Sequence, residues 1–155
     1  LMKRMEIKGI DTAYVTMHIG LGCFREIDVE DLTKHKMDSD LINVDTEAVQ
    51  KVNKAKAEGR RVCAIGTSVQ RVLETATLTG GMLKEFDGWT SKFIFPEHNF
   101  EVANCMIANF YAPYSTMLML TTAFGGYDYV MNAYKVALKE GYRFGLYGDA
   151  MLIID

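Results

Sequence analysis

Three stretches of this sequence place reactive or ligand-seeking residue types where loops are expected. In the first, His18 comes two residues before Gly20-Leu21-Gly22, at the end of the β-branched, aromatic run TAYVTMHI. A histidine titrates near neutrality and suits general-base work, and glycines let the backbone approach a ligand closely. An inward-facing histidine that satisfies a backbone carbonyl is the structural alternative. In the second, Gly66-Thr67-Ser68 joins the apolar run RVCAI to a helical pattern. A loop at the carboxyl end of a strand, opening a helix, presents N–H groups that bind anions. No lysine follows the glycine, so it is not a nucleotide P-loop. Thr67 or Ser68 acting only as the helix cap is the plain reading. On that helix Arg71 and Glu74 are three apart, close enough to pair with each other on the surface or to serve a substrate.

The third stretch brackets the loop Phe110-Tyr111-Ala112-Pro113-Tyr114 with Asn109, Ser115 and Thr116. Their polar groups would converge on the positive end of the next helix, and the tyrosines offer ring faces to a cation. Ser115 as a cap, with packed tyrosines, is the simpler alternative. Asp149, after Gly148, is a further ligand candidate or a turn aspartate. His35 and His98 sit in polar, turn-like surroundings and read as exposed.

The elements that must position these groups follow from periodicity. Residues 1–9 read as the end of a helix stopped at Gly9, and a strand is expected over 12–19. A weakly helical stretch over 29–36 precedes a short strand at 41–44, and Thr46 is expected to cap a helix over 47–58 that buries Ala48, Val52 and Ala55. A strand at 61–65 leads into a helix whose stripe is Val69, Val72, Leu73 and Ala76. Two strands are expected at 89–95 and 102–110. An almost wholly apolar helix at 117–124 breaks at Gly125-Gly126, and an amphipathic helix at 127–140 precedes a final strand over 143–154. Alternating strands and helices predict an α/β fold, a mostly parallel sheet flanked by helices, with antiparallel strands added by the 89–110 pair.

Composition narrows the functional classes. With 155 residues, 49% of them hydrophobic, one core and one domain over 1–155 are expected. A net charge of −3 argues against a broad phosphate-binding surface, so any RNA contact should be local. The three cysteines, Cys23, Cys63 and Cys105, show no CxxC spacing; a reducing, cytoplasmic setting and no metal site are expected. No long apolar run suggests a membrane span. The opening residues lack a cap or a starting methionine, which suggests a fragment of a longer protein.

Taken together, segments 13–24, 35–40, 53–74, 88–96, 109–126 and 142–152 resemble, in order and spacing, the S-adenosylmethionine:tRNA ribosyltransferase-isomerase family of queuosine biosynthesis. The resemblance implies a carboxyl-terminal part of a chain about twice as long, the remainder holding an inserted β-barrel and further site residues. It implies S-adenosylmethionine as ribosyl donor, adenine and methionine as leaving groups, and as acceptor a 7-aminomethyl-7-deazaguanine in a tRNA anticodon, reached through the full-length protein. Under it, His18 or Glu74 would move the proton and Arg71 would meet a substrate carboxylate or phosphate. Gly20, Gly22, Thr67, Ser68, Asn109, Ser115, Thr116 and Asp149 would bind or position substrate. The sequence departs from the family pattern at Tyr111, Ala112 and Tyr114, where a histidine, a leucine and a basic residue are usual. A non-catalytic or differently specific S-adenosylmethionine- or nucleoside-binding domain of the same fold is therefore the alternative.

Overall fold

The structure, a computed structural model, describes residues 1–154. Its elements are α1 (Met2–Ile7), β1 (Thr16–His18), β2 (Asp40–Val44), α2 (Thr46–Ala57), β3 (Cys63–Ile65), α3 (Thr67–Thr75), β4 (Phe86–Thr90), β5 (Cys105–Asn109), α4 (Thr116–Gly125), α5 (Tyr127–Lys139) and β6 (Ala150–Ile154). Short 3-10 turns span Leu21–Phe24 and Leu32–Lys34. The fold is α/β, but the strand directions depart from expectation. One sheet, ordered β1-β2-β4, is antiparallel throughout; the other, ordered β3-β5-β6, pairs β3 with β5 in parallel and β5 with β6 antiparallel. A mostly parallel sheet is therefore corrected to one antiparallel sheet and one mixed sheet. A parallel pair needs a crossover connection, usually helical. Between β5 and β6 lie two helices, which together return the chain to the end where β5 finished.

Local chemistry explains the element ends. Asp45, not Thr46, caps α2: its carboxylate accepts from the Ala48 N–H at 2.8 Å. The inward stripe of that helix is the expected Ala48, Val52 and Ala55. Ser115 caps α4 by accepting from the Leu118 N–H at 3.1 Å. Gly66 stands at the N-cap of α3 with φ of 102°, a backbone state that side chains disfavour, and no side chain caps that helix. The strand expected at 89–95 lies instead at Phe86–Thr90, because Asp87 and Trp89 alternate outward against Phe86 and Gly88.

A contiguous core runs from Ile42 and Val44 of β2 through Val72 and Leu73 of α3 to Met106 and Ala108 of β5 and Tyr134 of α5. Helix α3 touches both sheets and α4, so side chains along its length reach several elements at once. Met106, with no exposure, sits in β5 opposite Ala64 of β3. Met106→Ala should cost about 2–5 kcal/mol, read as a lower urea midpoint by far-UV circular dichroism; an unchanged midpoint would contradict this account of the core.

Candidate functional site

Arg71 and Glu74, three residues apart on α3, take their partners from different parts of the fold. Arg71, 4% exposed, points toward the first sheet, where its guanidinium pairs with the buried Asp40 carboxylate at the start of β2. Its Nε donates to the Lys92 carbonyl at 2.8 Å, and one terminal nitrogen donates to the carbonyls of Thr90 at 2.9 Å and Asp38 at 3.3 Å. Asp40 also accepts from the Gly20 N–H at 2.7 Å and the Cys23 thiol at 3.3 Å. One ion pair thus fastens α3, the first sheet and the glycine loop to each other. Gly22 has to be glycine, because a Cβ there would lie 2.2 Å from an Asp38 oxygen.

The electrostatics of this cluster follow from its burial. Burial alone would raise the Asp40 pKa, yet the Gly20 N–H, Arg71 and the Cys23 thiol outweigh it and hold the carboxylate below its ordinary value. Burial, then the neighbouring Asp40, pushes the Cys23 thiol up to about 11, so it stays protonated and donates.

Glu74 does not pair with Arg71, contrary to the surface-pair reading. It accepts from His98 Nε2 at 3.0 Å, from the Gln70 side chain at 3.3 Å and from the Glu101 N–H at 3.3 Å, and is itself 5% exposed. His98, expected to be exposed, is partly buried as its partner.

Against the Arg71 side lies a pocket of about 160 Å³. Its walls are largely apolar, including Met17, Ile19, Met37, Phe93 and Leu120, and its polar groups come from Thr67, Ser68, Arg71, Lys92, Tyr111 and Thr116. The hydroxyls of Thr67 and Tyr111 lie 3.3 Å apart. Thr116 Oγ1 donates to the Cys23 carbonyl at 3.5 Å, which ties α4 to the glycine loop. A second, more polar cleft of about 490 Å³ lies over the carboxyl ends of α2 and α4, lined in part by Lys56, Arg60 and His98.

Four of the residues singled out from sequence, Thr67, Ser68, Arg71 and Thr116, therefore meet at one pocket. Gly20 and Gly22 lie in the adjoining loop held by Asp40 and Asp38. Ser115 serves as a helix cap and also donates to the Ala112 carbonyl at 2.8 Å. Asn109 and Asp149 meet each other, Asn109 Nδ2 donating to the Asp149 carbonyl at 3.2 Å, at a turn that the Asp149 carboxylate holds by accepting from the Arg143 N–H at 2.8 Å. His18 is exposed on the outer face of the first sheet. Sequence reasoning missed Asp40, the Cys23 thiol and Lys92. The only trace of Asp40 is an acidic residue directly before an apolar strand, a pattern that exposed residues share. Among the described residues no group of three or more metal-ligating side chains occurs, and no helix is long and apolar enough to cross a membrane.

The chain is thus an α/β scaffold of one antiparallel and one mixed sheet, with a small, largely apolar pocket beside a buried ion pair. The chain belongs to the family described as queuosine biosynthesis protein, whose model matches residues 1–153. It is 68% identical over its whole length to the S-adenosylmethionine:tRNA ribosyltransferase-isomerase of Phocaeicola vulgatus, and 53% identical to the protein of that name from Cytophaga hutchinsonii; it covers 44% of each. The crystal structure of the S-adenosylmethionine tRNA ribosyltransferase of Thermotoga maritima superposes with a TM-score of 0.80 at 36% identity, covering 99% of this chain and 48% of that one. The chain thus spans less than half the length of these relatives, and it corresponds to their carboxyl-terminal part.

The lowered Asp40 pKa makes the ion pair proton-linked. Its stabilisation is complete above the unfolded value of about 3.8 and is lost as pH falls through the lower folded value. At neutral pH, Asp40→Asn should cost about 3–5 kcal/mol, since it leaves Arg71 buried without a counter-charge. In denaturant titrations the gap between wild type and variant should shrink as pH drops below that unfolded value; a gap constant across the acid range would refute the linkage.

Proposed function

We propose that this chain forms one wall of a site that transfers the ribosyl moiety of S-adenosylmethionine to a 7-aminomethyl-7-deazaguanine of a tRNA anticodon and isomerises it, giving epoxyqueuosine. The observation that carries this reading is the convergence of Thr67, Ser68, Arg71 and Thr116 on one apolar pocket. Complete small-molecule sites are roughly 300–1,000 Å³, so a pocket of about 160 Å³ takes only one end of such a ligand. The family relation and the relatives' names support the choice of ligand.

In this reading the uncapped start of α3, with the Thr67 and Ser68 hydroxyls, receives an anionic group such as the amino-acid carboxylate. The Phe93 and Tyr111 rings that line the pocket suit the positive sulfonium. Arg71, whose N–H groups are taken up by Asp40 and three carbonyls, shapes the walls and does not meet the carboxylate. Glu74 is likewise committed to its own partners and His18 turns to the outer face of the sheet, so neither lines the pocket, and the proton acceptor for a donor bound there comes from outside these pocket walls. Methionine and adenine leave as the ribosyl carbon bonds to the acceptor amine. Asn109 and Asp149 hold the turn beside β6, and the whole protein works in the cytoplasm on tRNA.

Two measurements test this. In the complete protein containing this segment, adenine should be released from S-adenosylmethionine only when tRNA bearing the deazaguanine is supplied; absence of release would sink the reading. Residues 1–155 alone should bind S-adenosylmethionine by calorimetry without turnover, and Thr67→Val should weaken that binding by about 10-fold, the equivalent of one lost hydrogen bond.

A further inference from the structure

The first sheet has a covered face and an open one. Met17, Ile42 and Thr90 turn inward, whereas Thr16, His18, Asn43, Asp87 and Trp89 turn outward, with Leu41 half-buried among them. Strand register sorts the outward residues into two rows. His18 pairs with Leu41 and Leu41 with Trp89, while Thr16 pairs with Asn43 and Asn43 with Asp87. Neighbouring strands lie about 4.8 Å apart, so the imidazole and indole stand roughly 10 Å apart across a leucine floor. The Trp89 side chain is 67% exposed, a large apolar area to leave in water.

We propose that this open face holds the acceptor nucleobase, stacked on Trp89 beside His18, with its hydrogen-bonding edge toward Asn43 and Asp87. The inference deepens the tRNA reading given above and rests on it. Charge complementarity selects the occupant. Neither row contains a lysine or arginine, and Asp87 repels phosphate, so the face is unsuited to the RNA backbone. A guanine-type ring is flat, neutral and rich in N–H donors at its edge, which a carboxylate and an amide oxygen accept. Single unpaired bases are commonly read on open sheets by such stacking on aromatic side chains. The face borders the pocket at one end of the sheet: His18 adjoins Ile19 of the pocket wall, and Trp89 adjoins Thr90, whose carbonyl binds Arg71. An acceptor base and a donor held in the pocket would thus meet across the end of β1.

Trp89 is the only tryptophan, so its emission reports on this face alone. An RNA hairpin with one unpaired guanine in its loop should quench that emission saturably, and the same hairpin with an abasic residue at that position should not. Trp89→Ala should weaken hairpin binding, followed by anisotropy of a labelled RNA, by roughly 10- to 100-fold, while Trp89→Phe stays within about 3-fold of wild type. Calorimetric S-adenosylmethionine binding should be unchanged in Trp89→Ala, which separates failure here from failure of the pocket reading. Equal quenching by the abasic hairpin, or undiminished hairpin binding by a folded Trp89→Ala chain, would overturn the proposal. So would buried-type, RNA-insensitive Trp89 emission in the complete protein with every other tryptophan replaced by phenylalanine, which would mean that another part of the polypeptide covers the face.

Discussion

The ion pair between Arg71 and Asp40 is the constraint on which the rest of the site depends. Both side chains are almost wholly removed from water, a state that is costly unless every donor and acceptor is matched. The matching is what organises the molecule. Arg71 reaches the carbonyls of Asp38, Thr90 and Lys92, and Asp40 reaches the glycine loop through Gly20 and Cys23. A helix, two strands and two loops are held in one arrangement by groups that would be badly destabilised in any other.

That arrangement has a chemical consequence. With Arg71 turned toward its own protein, the pocket beside it has a mostly apolar wall whose other polar groups are the Lys92 side chain, hydroxyls and the N–H groups at the start of α3. Such a surface suits a ligand with one charged end and an extended, weakly polar body. The tyrosine at 111, at first sight only a departure from the family pattern, is buried at the pocket and within hydrogen-bonding distance of Thr67.

The open face of the first sheet and the pocket lie on opposite sides of β1. Residues that alternate along the chain here therefore serve two surfaces: Met17 of β1, and Ile19 just beyond it, line the pocket, and His18 turns to the other face. Period-two alternation is the simplest way for one short strand to address two ligands or two parts of one ligand.

What the sequence determined by itself was local. Periodicity and breakers located α2, α3, α4 and α5, the ends of β3 and β5, and the loops at Gly20-Leu21-Gly22 and Gly66-Thr67-Ser68, because these depend on residues a few positions apart. The family was legible too, since motif order survives in a linear string. Strand direction was not, because β4 and β6 pair according to where intervening segments return the chain, and no short window records that. The partners of Arg71 and Glu74 were equally hidden. On the helix they are three apart and look like a surface pair; in the fold, Asp40 is 31 residues from Arg71 and His98 is 24 from Glu74. Only the tertiary structure brought those charges together, since a buried charge takes whichever counter-charge the packing places against it, and packing is a property of the whole chain.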